Sequence, residues 1–237
     1  MNQTPLEKSF IEKKELNPLF FTNNKLNNEV RKKLLEIATQ FIDSLKLEGV
    51  SVKDIILAGS LANYNWSSYS DVDLHVLFDF SEINEDVELV AEYMLAKKSI
   101  WNLKYNIKIF DFDVELYGQD ENEDFVSSGI YSIKNNSWVI EPKKENHAIP
   151  INKLIRKASF FTKIIDNIIE VKANVDKKLE LIEKMEDKIS RFRSTGLENG
   201  GEFSEENLVF KILRRTNYIQ KLKDFKQNLI IQKLSLK

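Results

Sequence analysis

Cysteine is absent from all 237 residues, and histidine occurs only twice, at His75 and His147. The first absence removes disulfides, thiolate nucleophiles and cysteine-based zinc sites. The second removes any histidine-rich metal site. No run of eighteen apolar residues exists, and Met1 to Lys14 lacks the apolar core of a signal peptide. A soluble, cytoplasmic protein with no membrane partner is therefore expected.

What is present is ordinary in amount and uneven in placement. The chain is 30% charged and 42% hydrophobic, enough for one or two domains with a substantial core. The net charge of -2 hides a segregation. From Asp54 to Asp124 there are sixteen acidic residues against four basic, and from Lys143 to Lys237 twenty-one basic against thirteen acidic. Two solvated surfaces of opposite sign would satisfy this pattern. So would an acidic metal-binding core accompanied by a lid that attracts polyphosphate or nucleic acid.

Hydrophobic spacing predicts an α/β arrangement. Residues Met1 to Asn27 read as an irregular lead with Pro5 and Pro18 as breakers. A helix is expected over Asn28 to Leu47, with Val30, Leu34, Leu35, Ile37, Ala38, Phe41, Ile42 and Leu45 as its core-facing stripe and Gly49 as its stop. Strands are expected at Asp54–Ala58, Val72–Phe78 and Ile107–Tyr117, with a short helix after Gly59-Ser60 and a longer one from an N-cap at Ser81 to about Trp101. Gly129–Ile133 and Ser137–Ile140 suit a hairpin turning at Asn135-Asn136. Pro142 to Pro150 marks the expected boundary between a core over 1–142 and a helical region over 143–237 that forms the other wall of a cleft. In that region Leu154, Ile155, Ala158, Phe161, Ile165, Ile168 and Ile169 trace one apolar stripe, and Leu179, Ile182, Met185 and Ile189 a second. Ser194 to Phe203 reads as a loop, Ser204 as the start of a further helix, and a last helix ends near Leu234.

The chemistry concentrates between Ile55 and Phe78. Four apolar residues, Ile55 to Ala58, run into Gly59-Ser60, and twelve positions after Gly59 comes Asp71-Val72-Asp73. A period of two places both carboxylates on one strand face and Val72, Leu74 and Val76 on the other. Adjacent carboxylates repel, and a divalent cation such as Mg2+, which takes hard oxygen ligands, would offset them. His75 shares the acidic face, either as a satisfied interior histidine or as a hydrogen-bond partner of a carboxylate. A third acid is available on the strand at Ile107–Tyr117, where Asp111, Asp113 and Glu115 alternate with Phe112, Val114 and Leu116.

A hydrophobic strand, Gly-Ser, then Asp-x-Asp twelve residues after the glycine resembles the DNA polymerase beta-like nucleotidyltransferase superfamily, and in particular its small bacterial and phage members. The resemblance implies a mixed-sheet core and transfer of a nucleoside monophosphate from an NTP to an acceptor hydroxyl, with two Mg2+ or Mn2+ ions. It implies metal-binding roles for Asp71 and Asp73 and for a third acid on the later strand. Glu115, between Val114 and Leu116, best matches the family's hydrophobic-acid-hydrophobic signature, with Asp113 as runner-up. It further implies that Gly59 and Ser60 cradle phosphates, and that Lys211, Arg214 and Arg215, which with Asn207 and Tyr218 fall along one side of the helix from Ser204, grip triphosphate or a nucleic-acid acceptor; a plain solvent-facing surface is the alternative. Many members carry an arginine soon after Gly-Ser. Here the segment is Leu61-Ala62-Asn63-Tyr64-Asn65-Trp66, so that cation is missing. Tyr64 and Trp66 are expected to pack against the sheet, with base stacking as the alternative. The competing reading is a nucleotidyltransferase-fold binding or structural protein without catalysis. The acceptor, whether RNA end, protein side chain or small molecule, is not specified by these residues.

Overall fold

The computed structural model describes residues 4–125, 127–144 and 149–236. Its contacts divide the chain into two units, Ser9–Asn146 and Met1–Lys8 with His147–Lys237. His147 and part of the Pro142–Pro150 connection lie outside the described residues.

A one-turn helix, α1 (Pro5–Lys8), comes first. The sheet unit then opens with a two-stranded ribbon, β1 (Phe21–Thr22) and β2 (Lys25–Leu26). Helix α2 (Asn28–Leu45) buries Val30, Leu34, Ile37, Ala38, Phe41 and Leu45 of the stripe that its spacing predicts, with Leu35 and Ile42 half-buried at its edges. It stops earlier than Gly49. Lys46 takes the left-handed cap at φ 52° and donates its N–H to Asp43 O.

Strands β3 (Val52–Ala58) and β4 (Val72–Phe78) pair antiparallel. Two capped helices follow where one was expected. Asp79 accepts from Ser81 N and caps α3 (Phe80–Ile83), and Asp86 accepts from Leu89 N and caps α4 (Val87–Lys104). Ser81 is therefore a donor to the cap and not the cap itself.

The expected strand over Ile107–Tyr117 is also divided. Phe110 adopts φ 54°, and the chain turns at Phe110-Asp111 between β5 (Lys108–Ile109) and β6 (Phe112–Asp120). Alternating hydrophobicity runs straight through a two-residue turn, because the partners Ile109 and Phe112 that flank it are both buried. Strands β7 (Ile130–Ser132) and β8 (Ser137–Ile140) form the expected hairpin, with Asn136 at φ 55°. The order in the six-stranded sheet is β5-β6-β4-β3-β7-β8, and only β4 and β6 run parallel.

One sheet face is fully packed. Ile55 and Leu57 of β3, Val72, Leu74 and Val76 of β4, and Val114 and Leu116 of β6 meet α2 and the α4 residues Val90, Met94 and Trp101. By the pleat, the opposite face carries Asp73 and His75 from β4 and Glu115, Tyr117 and Gln119 from β6. The fold class is thus mixed α/β, with a helical C-terminal region.

That region comprises α5 (Ile151–Glu170), α6 (Val175–Gly200), α7 (Glu205–Arg215) and α8 (Tyr218–Leu234). Most of the two predicted stripes is buried on α5 and α6, with Ile155, Ile169 and Leu179 half-buried at their edges. The expected loop from Ser194 is instead the last two turns of α6. Gly196 is buried there, and a β-carbon on it would fall 2.5 Å from Glu206 Cβ. This glycine permits a close approach of α7; it does not break the helix.

Candidate metal centre

The sheet register brings the acids together. Asp73 on β4 is the direct partner of Glu115 on β6, and His75 is the partner of Tyr117. Asp71 lies just ahead of β4, two residues before Asp73 and on the same side. Ligating oxygens from Asp71, Asp73 and Glu115 all lie within 4.8 Å of one another, and all three residues are half-buried. Three carboxylates so close together repel one another, and the group could hold a metal ion. Asp113 takes no part in this group. It pairs with Lys108 at 2.6 Å across the β5–β6 hairpin, with 61% of its side chain exposed.

Gly59 is shaped by one of these acids. It sits at φ 70°, ψ -160°, a conformation that only glycine adopts readily. A β-carbon there would fall 1.8 Å from Asp73 Oδ2. The turn it starts is a single 3-10 turn, Ser60–Ala62, too short to carry a helix dipole. Its hydrogen bonds are largely internal: Gly59 N–H donates to Ser127 Oγ, and the amides of Ala62 and Asn63 donate to Gly59 O and Ser60 O. The Ser60 hydroxyl meets that of Ser70 at 2.7 Å, which ties the turn to the residue preceding Asp71. Tyr64 and Trp66 are partly buried against the core, and the Trp66 indole donates to Glu15 O.

A second row of side chains lies behind the carboxylates. The Tyr117 hydroxyl donates to Glu115 Oε2. Burial, then the charges of Glu115 and Asp73, push the phenol far above its ordinary range, so it stays a donor. His75 stacks on Tyr117 at 4.6 Å, and its Nδ1 meets Gln119 Oε1 at 2.6 Å. Burial lowers the His75 pKa, with the Gln119 hydrogen bond opposing, so the ring is a satisfied interior histidine. Lys98 Nζ of α4 lies 3.6 Å from the Tyr117 ring centroid. Sequence reading missed Tyr117 and Gln119. The signal was there: the period of two that selects Glu115 continues to residues 117 and 119.

The remaining expected site residues lie on α7, in the helical unit. Lys211 is half-buried, and burial holds its pKa below the usual lysine range; Glu202 opposes that shift, while Arg215, Arg214 and Arg193 add to it. Arg214 is exposed and Arg215 half-buried. Asn207, expected on the same polar side, is buried and donates to Glu202 O at 2.7 Å. Tyr218, expected to extend that side, begins α8 and donates to Asp166 Oδ2.

No known family model matches the chain, and no curated protein matches it. Among solved structures, the STING-associated CdnE c-di-GMP synthase from Capnocytophaga granulosa is 17% identical, over 86% of this chain and 83% of that one, with a TM-score of 0.26. A superposition that loose carries no argument about Asp71, Asp73 and Glu115. Among the described residues, no helix is long and apolar enough to cross a membrane.

Proposed function

We propose that the protein is a metal-dependent nucleotidyltransferase, moving a nucleoside monophosphate from an NTP to an acceptor hydroxyl. The observation that carries this reading is the meeting of Asp71, Asp73 and Glu115 within 4.8 Å on two adjacent parallel strands, beside the Gly59-Ser60 turn. The Gly-Ser and Asp-x-Asp spacing resembles the polymerase beta-like superfamily, and the three acids form the donor set such chemistry needs.

Divalent cations held by Asp71, Asp73 and Glu115 would offset the negative charge that builds up on the attacking, phosphoryl and leaving oxygens. The protein's own part is positional. Gly59, with no side chain, leaves room for the Asp73 carboxylate and lets the backbone approach a phosphate. The amides of Ser60 and Leu61 make none of the turn's internal bonds and face this task in our reading; the Ser60 hydroxyl is held by Ser70 and serves the loop. In the transfer, the acceptor oxygen bonds the alpha-phosphorus, the bond to pyrophosphate breaks, and the acceptor's proton passes to Glu115. Lys211, Arg214 and Arg215 are assigned to anion binding. A desolvated ammonium among three guanidinium groups favours an anionic ligand.

The missing arginine after Gly59-Ser60 favours a second reading, a binding protein of the same fold without transfer. Incubation with each alpha-labelled NTP and Mg2+ or Mn2+, with tRNA, protein and small-molecule acceptors present, separates the two. Label transfer that disappears in Asp71→Asn supports catalysis. Nucleotide binding without transfer supports the second reading.

A further inference from the structure

We infer that Tyr117 is a positioning residue for the metal-binding carboxylate of Glu115. The inference rests on the reading of Asp71, Asp73 and Glu115 as a metal site.

Glu115 sits on a strand, and its side chain has three rotatable bonds with which to leave the group. Tyr117 removes that freedom. Two residues on, its hydroxyl lies on the same face and donates to Glu115 Oε2. The phenol is itself held by two neighbours. His75 covers one ring face at a 20° interplanar angle, and the Lys98 ammonium sits 3.6 Å from the centroid. His75 is anchored in turn by Gln119. Two cross-strand pairs on β4 and β6 thus form consecutive layers, Asp73 with Glu115 and then His75 with Tyr117, the second bracing the first. A carboxylate oxygen that accepts one hydrogen bond keeps further lone pairs for a metal, so the bond orients Glu115 without consuming it. Removing such an outer partner of a ligand typically weakens metal binding about 10–100-fold.

The probe is Mn2+, followed by the EPR signal of the free and bound ion, on the full chain. Tyr117→Phe keeps the ring and its stacking and deletes only the donor. Its apo melting temperature should stay near wild type, while Mn2+ affinity falls about 10-fold or more and the bound-ion spectrum changes. A purely structural tyrosine would lower melting and leave both metal readouts unmoved. If Tyr117→Phe does not fold, Tyr117→Met serves as the second variant; it deletes the ring as well as the donor, so its apo melting falls, and it is read on Mn2+ affinity and the bound-ion spectrum alone. Asp71→Asn is the control for the underlying reading. Mn2+ binding that Asp71→Asn abolishes and Tyr117→Phe leaves intact overturns the positioning role alone. Wild-type protein that binds no Mn2+, or binds it equally in Asp71→Asn, overturns both.

Discussion

The Asp73 carboxylate occupies the space that a side chain at position 59 would need, with Oδ2 lying 1.8 Å from where a β-carbon on Gly59 would stand. The glycine that the sequence resemblance assigns to phosphate approach also makes room for an aspartate. Gly59→Ala should therefore cost about 1–3 kcal/mol from its backbone conformation alone, and should push Asp73 out of the acidic group. Chemical denaturation would show the loss, and Mn2+ titration of the folded variant should show weakened binding. A variant as stable as wild type with unchanged Mn2+ affinity would refute this role for Gly59.

Asp71→Asn separates a metal ligand from a structural aspartate. The apo protein carries three repelling carboxylates, so removing one charge should leave melting unchanged or slightly raised. Wild type should gain stability with Mg2+ in proportion to binding, about 2.7 kcal/mol at 100 times the dissociation constant. The variant should lose most of that gain, and chelation should return wild type to its apo melting point. Equal Mg2+ shifts in both proteins would remove Asp71 from the site.

Lys211 predicts a pH dependence of opposite sign to that of a salt-bridged lysine. Its pKa is lowered in the fold, so the unfolded chain binds the proton more tightly. The buried charge therefore costs stability at neutral pH, and that cost disappears as pH rises from the lowered value to the ordinary 10.5. Lys211→Met should melt above wild type at pH 7, with the gap narrowing towards about pH 10.5. A variant less stable than wild type at pH 7 would contradict this.

Gly196→Ala sets two effects against each other. Alanine favours a helix interior by about 1 kcal/mol over glycine. A β-carbon there would meet Glu206 Cβ at 2.5 Å and Ser204 Oγ at 2.8 Å. The Glu206 contact is to a stem atom that cannot swing aside, so overpacking of about 1–3 kcal/mol should win. Thermal melting should fall by several degrees.

How much of this was legible beforehand differs by element. Residues Val72 to Phe78 were readable because one face is wholly apolar and the other carries the acids, and a one-residue slip would exchange them. Asp71, Asp73 and the candidacy of Glu115 followed from the same alternation and from spacing. Alternation alone did not choose between Glu115 and Asp113, since both point to one face; the resemblance favoured Glu115, the acid that joins the group. Lys108, brought back by the Phe110 turn, is what engages Asp113, and a turn with no glycine leaves little trace in sequence. Gly196 misled for a related reason, because a glycine that serves close packing looks like one that ends a helix. The bracing by Tyr117 depends on His75 and Lys98, which come from a neighbouring strand and a helix.

The parallel pairing of β4 with β6 also sets a schedule. Asp71 and Asp73 leave the ribosome before α3, α4 and β5 exist, and Glu115 follows only after all of them. At roughly 5–20 residues per second this leaves the aspartates without their third partner for about 2–8 s. No nascent fragment ending before Glu115 holds the acidic group, so the growing chain has no three-carboxylate group with which to capture divalent cations out of turn. The three acids can meet only once β6 has paired with β4, so metal held by them should slow unfolding of the finished sheet without hastening its assembly.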